Sequence, residues 1–516
     1  MISSFKDWLK QYGFSFVAGS LGVFAAFRFL LNRGSLWEDE IIAVTHGLQS
    51  MPLFFIEVLR NDIHPFFYFL LIKAWDLVFP GSDAWILSSS LVFGLVSLAI
   101  IFFCVRSLYG IDAAVISVSM LAVLPYFSWA SGNLRMYSLL LGLAVLVWYG
   151  NRKFFEDGGW GWLLFALLAQ LIHAYSHAIN FYFAFFIALA VLIPRVRSKN
   201  FSGLKPWLAM QVIYVLMILP LVVSALVRGT EELGSPSLSS LIDYPLDIFS
   251  LWQPPSYPLP VPGALVLAPI LIGLALSCRS LRPEVLIIFF GAICFAVIVA
   301  LGLSKTMFKQ PVFAANLLPF VVIPSALAVA NWSRLWARQI FRIAIIFVGF
   351  GTFHWVEELP SSSTFKPQAE FLQGKTKLGD VVIVPNVSIY WGLMRYAVAP
   401  DWGYPLEVMP RVANPQWEGL RGKLGPNLSS RLGLIPKTDY VDHLGIKYVL
   451  GDDVKHISID GVSRVWIFHK PSYKKTVRVE SPVQVLNVWN WGDLQLIEAQ
   501  PTAIGVREIH DQIGFR

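Results

Sequence analysis

The sequence predicts a polytopic α-helical membrane protein of about eleven spans, with interfacial helices in its first outer loop and a small α/β domain at its C-terminal end. Three observations predict it. With 56% hydrophobic and 14% charged residues among 516 and a mean hydropathy of +0.61, the chain is too apolar for a soluble protein of several domains. Apolar runs of spanning length recur through the first two thirds, with Lys and Arg in short clusters on alternate connections. Beyond about residue 355 the composition turns polar and rich in Pro and Trp. Two domains follow: 1–355 within the membrane and 356–516 outside it.

The net charge of +7 lies in the topology-setting clusters, so it does not imply nucleic acid. Cys104, Cys278 and Cys294 fall in or beside apolar segments, so no disulfide framework is visible.

In chain order, Met1 to Lys10 is a short basic lead. No small-residue cleavage site follows the first apolar run, so Gly13 to Leu31 reads as a retained anchor. Ile41 to Ala84 is apolar but broken by His46, Glu57, Asp62, Pro65, Lys73 and Asp76. Within it, Met51 to Leu59 and Phe66 to Phe79 have the spacing of helices lying in the interface. The spans then run Trp85–Val105, Ala113–Phe127, Leu134–Tyr149, Trp160–Ile172, Ala178–Ile193, Trp207–Val227, Gly263–Ser277, Val285–Leu303, Val312–Ala330 and Ile340–Phe353. If each crosses, the basic residues from Lys6 and Arg106 through Arg152, Arg195, Arg279 and Arg338 share one side, the cytoplasm. The loops carrying Glu38-Asp39-Glu40, Arg135 and Arg228 to Pro262 then share the outer face with the tail.

In the tail, Asp380 to Val384, Tyr448 to Leu450 and Val465 to His469 read as strands and Ser388 to Ala397 as a helix. It shows no phosphate loop, Cys/His metal cluster or G-x-S-x-G elbow. Its Trp residues either stack on sugars or fill a small core.

The chemistry is at the outer ends of the spans. Glu38-Asp39-Glu40 follows the first span, and Asp62-Ile63-His64-Pro65 lies in the same loop. Arg135 and Tyr137 stand at the outer start of the fourth span, with His173 and His177 in the turn between the fifth and sixth. Each has an ordinary explanation: a solvated acidic loop, a helix start, a headgroup-seeking arginine, a capped turn. Together they bring carboxylate, imidazole and guanidinium to one membrane face, the equipment for moving a group off a lipid phosphate.

Leu36-Trp37-Glu38-Asp39-Glu40, Asn61-Asp62-Ile63-His64-Pro65-Phe66, Ser131-Gly132-Asn133-Leu134-Arg135-Met136-Tyr137 and Tyr175-Ser176-His177 occur in that order over a multi-span frame. This pattern resembles the GT-C class of integral-membrane glycosyltransferases, in particular the protein O-mannosyltransferases and lipid A aminoarabinose transferases. The resemblance covers about the first 330 residues. It implies a sugar transfer from a polyprenyl-phosphate donor to an envelope glycan, lipopolysaccharide, lipid or protein. The expected location is a bacterial inner membrane, with the site on the outer face.

The resemblance also implies roles. Asp39 is the base, with Glu40 supporting substrate or a cation. His64 and His177 line the pocket, and Arg135, with Tyr137 in the same element, binds the donor phosphate. Three departures stand out: Phe66 where a second proline is common, Asn133 where a glutamate is common, and no arginine just before Ala315-Asn316-Leu317-Leu318-Pro319. Lys305 or Lys309 then serves as the further phosphate contact. A divalent cation on the acidic pair stays open, because two carboxylates and a distant histidine fall short of a ligand set. The loop Arg228 to Pro262 has the length of a lid. A lipid or solute transporter using the same charged residues is the second reading, which charges at mid-span and inverted repeats would favour.

Overall fold

The computed structural model describes residues 2–33, 36, 40–41, 43–44, 47, 64–78, 83–177, 180–227, 283–288, 290, 310–332, 335–358, 365–384, 392–393, 396, 440–443, 446–450, 462–469, 483–491 and 494–501. The chain divides into two compact units. The first is Met1–Asn32 with Pro52–Pro360, and the second is Arg33–Met51 with Ser361–Arg516.

The first unit is helical: α1 (Ile2–Leu31), α2 (Phe66–Asp76), α3 (Asp83–Tyr109), α4 (Ile111–Val123), α5 (Pro125–Gly132), α6 (Tyr137–Asp157), α7 (Trp160–Ala174), α8 (Asn180–Arg197), α9 (Leu204–Val227), α10 (Gln310–Ala330) and α11 (Leu335–Glu358). Among the described residues, α1 from Gln11, α3, α8 and α9 to Val223 are each long and apolar enough to cross a membrane. Of the helix expected over Phe66 to Phe79, Phe66–Asp76 forms α2. Met51 to Leu59, Gly263 to Ser277, Val285 to Leu303 apart from 285–288 and 290, and the loop Arg228 to Pro262 lie outside the described residues.

The expected span Ala113–Phe127 falls on the pair α4 and α5, which is bent by 68°. Pro125 is the cause. It drives Leu124 into the extended region, at φ −69° and ψ 135°, so α4 ends there. The bend takes Val123's carbonyl out of the helical ladder, and Thr352 of α11 donates to it at 2.6 Å.

Packing around this break needs small residues. A Cβ on Gly22 of α1 would collide with the backbone of Ala122 in α4, and beside it Ser119 Oγ donates to the Ser15 carbonyl at 2.8 Å. Gly22→Val is therefore expected to push α1 off α4 and cost about 1–3 kcal/mol, read as a lower melting temperature in detergent. At the other end of α3 and α6, the Tyr109 hydroxyl and the Arg152 guanidinium both hold the buried carboxylate of Glu284, which ties helical residues 283–288 to these helices.

The second unit contains α12 (Phe365–Lys375) and β1 (Val381–Val384), β2 (Tyr440–His443), β3 (Ile446–Leu450), β4 (Val465–His469), β5 (Val483–Trp491) and β6 (Leu494–Pro501). They form one six-stranded sheet in the order β2-β3-β1-β4-β6-β5. β1 is parallel to β3 and β4, while the outer pairs are antiparallel. All four residues of β1 are buried, as expected of a central parallel strand. Asp380 ties its start together. Its Oδ2 accepts from the Lys377 backbone at 2.9 Å, Arg464 Nη2 at 2.9 Å and Trp466 Nε1 at 3.0 Å. Trp466 is buried and stacks on Trp489 at 5.8 Å, so this tryptophan fills core. The strands read from the sequence are β1, β3 and β4. Only 392–393 and 396 of the expected helix Ser388–Ala397 are described.

Candidate functional site

Three connections of the first unit meet around one buried arginine. At the start of α2, Pro65 stands in an extended conformation, φ −69° and ψ 161°, where a residue with no backbone N–H loses nothing. This sets His64 just outside the helix. Between α5 and α6, Asn133 is buried and its Nδ2 donates to the Trp129 carbonyl at 2.6 Å, closing the last turn of α5. The Arg135 N–H donates back to the Asn133 carbonyl at 2.7 Å, a tight turn that delays α6 to Tyr137 instead of the expected Leu134. Gly132 is required here, because a Cβ would strike the Phe29 ring. After α7, the turn Tyr175–His177 leads to α8, starting at Asn180.

The side chains from these connections touch. Arg135 Nη2 donates to His64 Nε2 at 3.0 Å. Arginine has only donors, so His64 accepts through Nε2 and is neutral, with its proton on Nδ1. The His64 and His177 rings lie 4.4 Å apart, tilted by 51°. The Phe67 N–H donates to the Tyr175 carbonyl at 3.3 Å, joining the start of α2 to the histidine turn. The Phe66 and Tyr175 rings pack at 5.3 Å, so the phenylalanine that departs from the family pattern supports this junction. Tyr175 donates to the Met217 carbonyl at 2.7 Å, and burial holds its hydroxyl above its ordinary pKa. Tyr137 is buried and stacks on Trp129 at 5.3 Å.

Exposures of 4% for His64, 3% for Arg135 and 2% for His177 place all three side chains in the interior. A guanidinium fork matches phosphate oxygens.

In the second unit, Glu40 is fully buried and its carboxylate is held by the guanidinium of Arg33, itself only 2% exposed. Close by, the Leu36 N–H donates to the Tyr396 hydroxyl at 2.8 Å. Asp39, Lys305 and Lys309 lie outside the described residues. Among the described residues, no group of three or more His, Cys, Asp or Glu side chains is arranged to hold a metal ion.

His173, expected in the turn, instead lies in the last turn of α7, and sequence reasoning missed the amides that share its polar layer. His173, Asn180 and Asn316 are fully buried and hydrogen-bonded to one another, while Gln170 and Gln211 pair through two bonds of 3.1 and 3.2 Å. The available signal is an amide inside an apolar run, at Asn316.

Residues 63–223 match the family model for dolichyl-phosphate-mannose-protein mannosyltransferases. This stretch includes His64, Arg135, Tyr137 and His177. The crystal structure of ArnT from Cupriavidus metallidurans bound to undecaprenyl phosphate superposes with a TM-score of 0.57 at 13% identity, covering 94% of this chain and 98% of that one. The chain has the GT-C fold. The apo structure of the same ArnT agrees, with a TM-score of 0.56, 11% identity and coverage of 93% and 97%. No curated protein matches the chain. The GT-C likeness runs almost end to end in both proteins, so it takes in the polar tail as well as the helical frame.

Proposed function

We propose that the chain is a polyprenyl-phosphate-dependent membrane glycosyltransferase that moves a sugar to an envelope acceptor on the outer face of a bacterial inner membrane. The observation that carries this reading is the buried Arg135, donating to a neutral His64 and backed by His177, inside the stretch that matches the mannosyltransferase model. ArnT, which shares the fold, is known bound to undecaprenyl phosphate. Residues 1–355 form the catalytic membrane domain and 356–516 the outer-face domain.

In the reaction, an acceptor hydroxyl attacks the anomeric carbon as the bond from that carbon to the phosphate oxygen breaks. Asp39 takes the hydroxyl proton. The phosphate begins as a diester with one negative charge and leaves as a monoester with two, so a guanidinium stabilises the transition state more than the bound donor. A single displacement inverts the sugar. Glu40 holds the acidic segment through Arg33, and Lys305 or Lys309 adds a second cation at the phosphate. A lipid-linked donor suits the outer face, where nucleotide sugars are absent.

Transfer of labelled sugar from a panel of polyprenyl-phosphate sugars to an envelope extract tests this. The wild type is expected to use one donor and Asp39→Asn to lose about a hundredfold in rate, within the range of a general base. Movement of a lipid across vesicles by a wild type that transfers nothing would replace this reading with the transporter.

A further inference from the structure

We propose that Asn180 and Asn316 form a two-amide clamp that positions the His177 ring against His64, and through it the Arg135 guanidinium. The inference deepens the transferase reading and rests on it for its consequence in catalysis.

The hydrogen bonds orient both amides. Asn180 Nδ2 donates to the His173 carbonyl at 3.0 Å, a partner that only accepts. This turns Asn180 Oδ1 toward Asn316, whose Nδ2 donates to it at 3.0 Å. Asn316 Oδ1 then lies 2.6 Å from His173 Nε2, which therefore carries the ring proton. The three bonds form a closed ring that starts and ends on His173. Asn180 also holds the far side of the turn, because its backbone N–H donates to the His177 carbonyl at 3.0 Å. One residue thus grips both carbonyls that bracket Tyr175–Ser176–His177, and Asn316 grips that residue from α10, more than 130 positions away in the chain.

All three residues are fully buried, so no water competes for these bonds and loss of one leaves its partner unsatisfied. The turn is also held by the Tyr175 and Ser176 N–H groups on the Leu171 and His173 carbonyls, by the Ser176 hydroxyl on the Ile172 carbonyl and by Tyr175 on Met217, and two further ties lead to the site. The Tyr175 carbonyl receives the Phe67 N–H of α2, and the His177 ring lies against His64, which accepts from Arg135. A turn released from Asn180 and Asn316 rotates His177 relative to His64. Neither amide touches the reacting atoms; both are positioning residues.

The test uses the full-length protein in nanodiscs, comparing wild type with Asn316→Leu, which keeps the branching of the side chain but makes no hydrogen bonds. Gln211→Leu is the control, since it breaks the neighbouring amide pair away from the turn. The first readout is the nitrogen-15 spectrum of labelled histidines, with the His177 signals assigned by their loss in His177→Asn. Asn316→Leu is expected to shift the His177 signals, whereas Gln211→Leu leaves them in place. The second readout is transfer. Asn316→Leu is expected to lower kcat about tenfold to a hundredfold with the KM for the lipid donor nearly unchanged, because misplacement acts on the transition state. Asn316→Asp, when protonated, keeps one donor and one acceptor and is expected to recover kcat at low pH and lose it as the carboxyl ionises.

Unmoved His177 signals in Asn316→Leu overturn the clamp. Moved signals with an unchanged kcat overturn its positioning role. A wild type that transfers from no polyprenyl-phosphate sugar overturns the functional reading instead, and the His177 signals alone then decide the clamp.

Discussion

Arg135→Ala is expected to lower kcat for sugar transfer by about a thousandfold, the upper range for removing one preorganised group that meets developing charge. Two effects combine. The phosphate gains a second negative charge as the sugar leaves, and in a site where Arg135 is 3% exposed there is little water to replace the guanidinium. Its removal also takes from His64 Nε2 the donor that keeps this imidazole neutral and oriented. Arg135→Lys keeps the charge but loses the planar fork, so a partial recovery of about tenfold over alanine is expected. The measurement is single-turnover transfer in nanodiscs beside thermal unfolding. A rate within threefold of wild type for Arg135→Ala, with the fold intact, would remove Arg135 from the phosphate site.

The arginine and the two histidines were legible because charge or imidazole at the end of an apolar run is costly without a reason. His64 was marked further by Pro65, and the structure joins it to Arg135 and His177 as their shared face suggested. Asn180 and Asn316 were not legible. An amide carries no charge to mark it, and its meaning here comes from partners on three helices, one of them more than 130 residues from the other two. The bend at Pro125 was missed for a different reason: hydropathy averages over a window, and a proline inside an apolar run changes direction without changing the average. In the tail, β1 and β4 were readable as short runs of Val, Ile and aromatic residues. β5 was hidden by the register shift between Val485 and Asn487, which breaks the period-two alternation over Val483–Trp491.

The acidic segment is best tested by separating its charge pair from its chemistry. Glu40 and Arg33 are 0% and 2% exposed, so removing one takes an ion-pair partner from the other in a medium that solvates it poorly. Glu40→Leu is therefore expected to destabilise the protein by about 3–5 kcal/mol, as is Arg33→Met alone. The double variant Arg33→Met with Glu40→Leu removes both charges while keeping apolar volume, and is expected to return within about 1 kcal/mol of wild type, since replacing a buried pair by packed apolar groups is often neutral. Thermal unfolding of the four proteins gives the coupling. Transfer by the stable double variant then divides the roles of the acidic pair. If Glu40 serves only to hold the segment through Arg33, the double variant keeps most of its activity while Asp39→Asn in the same background loses it. A double variant that is stable yet inactive would instead place Glu40 beside Asp39 in the chemistry.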